Sequence, residues 1–130
     1  VRHESVSVKE DEIAEKIVEA AFKVHTGLGP GLLESLYEIC FCYELEKMKV
    51  AYGRQVEIPI VYDGIKLPGN LRLDVLVENL IVCELKAVEN MNQVHLAQLM
   101  TQLKLTGKRL GFLINFNVPL IKCGIKRVII

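Results

Sequence analysis

The sequence predicts an α/β protein in which a helical hairpin packs on a mixed β-sheet. Three observations carry that prediction. Apolar residues recur first at helical spacing, then from about residue 54 in the alternation of strands, and at helical spacing again across about 92–106 before two further apolar runs. An order of helix, helix, several strands, helix, strand, strand builds one mixed sheet with helices laid on it. The 130 residues are enough for one domain with its own core, taken as residues 1–130.

Over residues 11 to about 26, Ile13, Ile17, Ala21 and Val24 form the apolar stripe, and Glu12, Glu15, Lys16 and Glu19 lie off it. The loop Gly27-Leu28-Gly29-Pro30-Gly31 ends this helix, and His25 before it is expected to be a cap or surface residue. LLESLYEICFCYELEKMK supplies the second helix, with Leu33, Leu36, Cys40 and Phe41 as its expected core stripe. The loop glycines are not a nucleotide-binding fingerprint: they follow a helix rather than a strand and lack both the G-x-G-x-x-G order and a P-loop lysine. Val56, Ile58, Ile60 and Tyr62 then alternate with Gln55, Glu57 and Val61, and Asp63-Gly64 is a hairpin turn before IKL. LRLDVLVE and LIVCELK are two more strands, Gly107 closes the following helix, and LGFLINF and IKRVII are the last two strands.

Composition narrows the function classes. With 51% hydrophobic and 25% charged residues, the chain is an ordinary globular protein rather than a disordered or fibrous one. No apolar run approaches the roughly 18 residues of a membrane span, and VRHESVSVKEDE lacks the basic-then-apolar layout of a signal peptide, so a cytoplasmic protein without a membrane partner is expected. Cys40, Cys42, Cys83 and Cys123 offer no C-x-x-C pair and read as structural thiols rather than as zinc ligands or a disulfide. Sixteen basic residues balance sixteen acidic ones, which excludes the overall positive field of a strong nonspecific nucleic-acid binder. A local contact remains open through Lys104, Lys108, Arg109, Lys122, Lys126 and Arg127, since no acidic residue follows Glu89; a solvated basic face is the competing explanation.

The charges in LRLDVLVE and LIVCELK need an explanation, because an unpartnered charge in an apolar strand is costly. Leu73, Val75 and Val77 share one expected face and Arg72, Asp74 and Leu76 the other; Ile81, Cys83 and Leu85 oppose Val82, Glu84 and Lys86 in the same way. Matching the apolar faces in an antiparallel hairpin requires an odd loop, Glu78-Asn79-Leu80, and that register sets Asp74 opposite Glu84. A two-residue loop sends the carboxylates to opposite faces. Two carboxylates at cross-strand distance hold each other protonated unless something positive lies between them, and Mg2+ prefers such hard oxygen ligands. Lys86, on the face of Glu84, is placed to orient or help deprotonate a water or to stabilise charge on a phosphate. A plain salt bridge of Lys86 with Asp74 or Glu84 is the competing reading.

The combination resembles the PD-(D/E)xK nuclease superfamily, whose core carries an Asp on one strand and E-x-K on the next. More narrowly, Gly31-Leu32-Leu33-Glu34-Ser35-Leu36-Tyr37 resembles the signature of the GxxExxY family, and the similarity continues through HTGLGPG, RQVEIP, LDVLVEN, VCELKAVE, AQLMTQLKLTG, FLINF and GIKRVI. The resemblance implies a restriction-endonuclease-like core and a phosphodiester-cleaving site that uses Mg2+ or Mn2+. Carried over, Asp74 and Glu84 are metal ligands, Lys86 is the catalytic lysine, and Glu34 completes the metal set. Glu34 also suits the first turn of a helix on dipole grounds alone. His95, Gln98 and Gln102 make a polar stripe on a helix whose expected core is Val94, Ala97, Met100 and Leu103. Related nuclease families carry Gln-x-x-x-Tyr there; Gln98 matches and Gln102 stands in place of the tyrosine. Gln98, Gln102 and Tyr37 are the expected substrate contacts, Tyr37 being equally ordinary as a half-buried tyrosine. Leu73 stands where the superfamily name has proline.

The expected function is therefore a metal-dependent nuclease acting on DNA or RNA. The alternative is a catalytically inactive, homodimeric interaction module on the same fold, favoured by zero net charge, few aromatics and no separate DNA-reading domain. A nucleotide- or RNA-processing hydrolase using the same site is a third reading.

Overall fold

The first helix begins where its sequence supplies a cap. Ser7 Oγ accepts from the Glu10 backbone N–H at 3.1 Å and the Glu10 carboxylate accepts from the Ser7 N–H at 2.9 Å, a capping box that starts α1 (Val8–Leu28). The computed structural model describes residues 6–130, so the first five residues of VRHESVSVKEDE lie outside the described part. Ile13, Ile17, Ala21 and Val24 are buried as the spacing predicts. His25 is buried too: its Nε2 lies 2.7 Å from the Val118 carbonyl, so it ties α1 to the loop after the fourth strand rather than capping or facing water.

The second helix, α2 (Glu34–Lys47), is turned by about one residue position from the expected stripe. Tyr37, Phe41 and Leu45 are fully buried, whereas Leu33 is 72% exposed, Leu36 is exposed and Cys40 is half-buried. The cause is Tyr37. Its ring stacks on Phe116 with centroids 4.7 Å apart, and its hydroxyl donates to the Gly29 carbonyl at 2.6 Å and accepts from the Leu32 N–H at 3.1 Å. One side chain thus fixes the loop between the helices and the rotation of α2.

The strands are β1 (Tyr52–Tyr62), β2 (Ile65–Val77), β3 (Ile81–Lys86), β4 (Leu110–Asn115) and β5 (Ile125–Ile129). Asp63 and Gly64, at φ 50° and 79°, make the two-residue turn between β1 and β2, and β2 runs on through both IKL and LRLDVLV as one strand. The sheet order is β1-β2-β3-β4-β5, and neighbours are antiparallel except β3 and β4. That parallel pair needs a crossover, supplied by α3 (Gln93–Thr106), which Gly107 ends at φ 72°.

Each face of the sheet has its own core. α1 and α2 cover Val75, Val77, Ile81, Cys83, Leu85, Phe112 and Ile114, whereas α3 covers Leu73, Val82 and Leu113. The buried residues of α3 are Leu99, Gln102 and Leu103, and the expected core residues Val94, Ala97 and Met100 are exposed. Gly111 sets this rotation: a Cβ there would lie 3.0 Å from Leu99 Cδ1 and 3.3 Å from Leu103 Cδ1, so the bare backbone is the notch in which both leucines sit. Cys42 and Cys83 are buried, Cys40 half-buried and Cys123 exposed, all as free thiols. Among the described residues no helix is long and apolar enough to cross a membrane.

Tyr37→Phe keeps the ring stack but leaves the Gly29 carbonyl and the Leu32 N–H without their side-chain partner. The variant is expected to lose about 1–2 kcal/mol in a urea titration with an unchanged slope.

Candidate active site

The β2–β3 hairpin has the register that apolar matching requires. Val77 pairs with Ile81, Leu76 with Val82 and Val75 with Cys83, and the loop Glu78-Asn79-Leu80 accommodates this with Glu78 and Asn79 at φ 52° and 54°. One step further Asp74 faces Glu84, but the ladder ends first. The Leu85 N–H donates instead to Asp74 Oδ2 at 2.9 Å, so a carboxylate takes the place of a strand carbonyl.

A change of face at Asp74 accounts for this. Val75 and Val77 belong to the core under α1 and α2, while Leu73 belongs to the core under α3, so these three residues do not share the one face expected of them. β1 changes face at the matching point: Tyr52 packs on the first core and Val56 on the second. Between them Gln55, flanked by the pairs Arg54–Val75 and Val56–Leu73, sits at φ 50°, a left-handed conformation that twists the ribbon. Asp74 is thereby turned toward the end of β3.

Glu84 is 8% exposed, on the α3 side of the sheet. Lys86 Nζ lies 3.3 Å from its Oε2, and Gln102 Nε2 donates to its Oε1 at 3.3 Å. Burial first, and then the charge of Glu84, push the Asp74 carboxyl up to about 7; the Leu85 N–H works against the rise and a hydrogen bond with Glu84 adds to it. Glu34, the first residue of α2, stands at the exposed rim. Its carboxyl is raised by desolvation first and by Asp74 next, with Lys86 opposing, which puts it in the same charge neighbourhood. Asp74, Glu84 and Lys86 therefore meet as the register predicts, with Glu34 beside them.

This arrangement, an Asp at a strand crossover with E-x-K on its neighbour, agrees with the comparison of families: the family model of the PD-(D/E)XK nuclease superfamily matches residues 11–128. The chain belongs to that superfamily. Its sheet and helices form the restriction-endonuclease-like core, and PD-(D/E)XK nucleases generally use divalent metals. No curated protein and no solved structure gives a significant match.

The donors of this PD-(D/E)XK site suit a hard cation in kind: two carboxylates crowd each other, one of them, Glu84, contacts Lys86 and Gln102, and Gln102 Oε1 is buried with no hydrogen-bond partner among the described residues. Among the described residues no three His, Cys, Asp or Glu side chains form a ready cage, so the expected three-acid set reduces to the Asp74–Glu84 pair with Glu34 at its rim. Of the expected substrate contacts, Gln98 is exposed on α3 and Gln102 is buried against Glu84. Tyr37 is fully buried with its hydroxyl bound to the loop backbone, so it holds the start of α2 and does not face a substrate.

Two supports went unread in the sequence. Glu38, one turn after Glu34, is buried and accepts from Arg54 Nε at 3.0 Å and Nη2 at 2.9 Å and from Gln55 Nε2 at 2.8 Å. The i, i+4 spacing of the two glutamates was the available signal. Asn115 lies beside Lys86 in the parallel pair; its Oδ1 accepts from Val88 N at 3.0 Å, its Nδ2 donates to Val88 O at 2.9 Å, and Phe116 N donates to Lys86 O at 2.9 Å. These bonds fix the chain as it leaves Lys86.

The raised Asp74 carboxyl has a thermodynamic consequence. Its folded pKa lies above the ordinary 3.8, so the folded state holds the extra proton and stability falls as pH rises from about 4 through about 7. Asp74→Asn keeps an oxygen for the Leu85 N–H and removes the charge. The variant is expected to match the wild type below pH 4 and to exceed it by about 1–2 kcal/mol at pH 8 without metal, read from denaturant melts across pH.

Proposed function

We propose that the chain is a cytoplasmic, Mg2+- or Mn2+-dependent nuclease of the GxxExxY family, acting as one domain on nucleic-acid phosphodiester bonds. The observation that carries this reading is the Asp74–Glu84 pair with the Lys86 ammonium at 3.3 Å from Glu84. Asp74 and Glu84 are the residues that hold the cation, with Glu34 reaching it from the rim. When bound, the cation supplies Lewis acidity toward a phosphoryl oxygen and toward water. Lys86, half-buried at the end of β3, presents its N–H donors where charge builds on the phosphate and where an attacking water is oriented. The Leu85 N–H keeps the Asp74 carboxylate turned to the site.

A second reading rests on a different surface. Leu32, Leu36, Ile39 and Tyr43 are exposed at the spacing of a coiled-coil seam along the outer side of α2 and the loop before it, which suits a noncatalytic, homodimeric interaction module.

Calorimetric titration with Mg2+ or Mn2+ separates the two readings. Binding in the wild type that is lost in an Asp74→Asn/Glu84→Gln variant supports the nuclease, and its absence at millimolar cation supports the module. In cleavage assays on single-stranded, duplex, flapped and RNA substrates, Lys86→Ala is expected to retain metal and lose turnover by at least 100-fold, about the contribution of a positioned acid–base group.

A further inference from the structure

We infer that Gln102 is a positioning residue of this site, whose amide holds Glu84 by its nitrogen and receives a donor from the hydration shell of the cation by its oxygen. The inference rests on the metal-dependent reading above and assigns it a residue that the family pattern does not supply.

Gln102 is 5% exposed, in the turn of α3 that also carries Leu99 and Leu103. Its Nε2 donates to Glu84 Oε1 at 3.3 Å, while Lys86 Nζ approaches Glu84 Oε2 at 3.3 Å. The carboxylate is therefore gripped at both oxygens, which fixes its plane. Chemistry decides which end of the amide points where: turned over, its oxygen would face a carboxylate oxygen. The other end is the unusual one. Gln102 Oε1 is buried and has no hydrogen-bond partner among the described residues. The two ends of an amide are only about 2.3 Å apart, so this orphan acceptor lies beside Glu84.

The Nε2 bond to Glu84 accounts for an amide here, but the packing supplies no donor for its oxygen. Leu73, Val82, Leu99, Leu103 and Leu113 make the surrounding core apolar, and a methionine of similar length fills such a space without an unsatisfied oxygen. A carbonyl left without a donor on the residue that holds Glu84 weakens the metal-free fold and strengthens whatever brings an O–H to it. Mg2+ retains several of its waters when carboxylates bind it, so a hydrated divalent cation is the ligand that brings this donor. Residues that orient a ligating carboxylate shape its affinity without touching the ion.

The test compares the wild type with Gln102→Met and Gln102→Glu by thermal melting and by calorimetric titration with Mg2+ and Mn2+. Gln102→Met, which removes the Nε2 donor to Glu84 together with the orphan oxygen, is expected to bind the cation about 10- to 100-fold more weakly. Gln102→Glu crowds a third carboxylate into the site, so its melting temperature without metal should drop and its rise on adding cation should exceed that of the wild type. Unchanged affinity in folded Gln102→Met, or a rise in Gln102→Glu no larger than the wild type's, overturns the inference. A wild type that responds to neither cation overturns it together with the metal-dependent reading, whereas a responding wild type with an indifferent residue 102 overturns this inference alone.

Discussion

The site depends on one constraint: Asp74 and Glu84 are brought together where water is scarce, and the lysine beside them, Lys86, contacts Glu84. Such a pair cannot be fully ionised without cost, so one proton or one cation must be shared. The rest of the structure holds the pair in place against that repulsion. β3 is buried along most of its length, so Glu84 cannot swing into solvent, and the Leu85 N–H holds Asp74 on the other side.

That juxtaposition is made by the strands rather than by the loops. A regular ladder would carry Asp74 to a backbone-paired position and give Leu85 a strand carbonyl as partner. The change of face at Asp74, matched by Gln55 in its left-handed conformation on β1, ends the pairing one step early and opens a gap that a carboxylate fills. Backbone strain of this kind persists where surrounding contacts over-determine it. Here the contacts are those of Gln55 and Arg54 with Glu38, which fasten the twisted part of β1 to α2. The helix that presents Glu34 and the strand that twists Asp74 into place are thus locked to each other.

Much of this was legible in the sequence because period and register are local properties. Alternation and a three-residue loop were enough to bring Asp74, Glu84 and Lys86 together, and the Gly107 helix end and the Asp63-Gly64 turn follow from short-range chemistry, whereas the first helix starts at Val8, earlier than the expected residue 11. What escaped depends on contacts between distant segments. The rotation of α2 is set by Tyr37 against Phe116, and that of α3 by the notch at Gly111; neither partner is near in sequence, and each moved a predicted stripe by about one position. Leu73 was misplaced for a different reason. Strict alternation assumes a strand without a twist defect, and the residue that introduces the defect, Gln55, lies on another strand. The burial of His25 likewise needs Val118 to be known.

Glu38 shows why acidic content alone does not identify such a site. It is as buried as Glu84 and near enough to raise both Glu34 and Asp74, yet it receives three N–H donors, two from Arg54 and one from Gln55. Both its oxygens are satisfied within the protein, so it has no need of an external cation. Among the described residues, Asp74 and Glu84 receive one backbone N–H, one amide N–H and the contact with Lys86, spread over two carboxyl groups. The shortage of donors at the pair, set against their sufficiency one turn along α2, is what distinguishes a carboxylate that fastens the fold from two that call for a ligand. The same contrast explains how four acids can crowd one end of the sheet: the fold neutralises one of them completely, leaves one at the rim in contact with water, and concentrates the remaining imbalance on the two between β2 and β3.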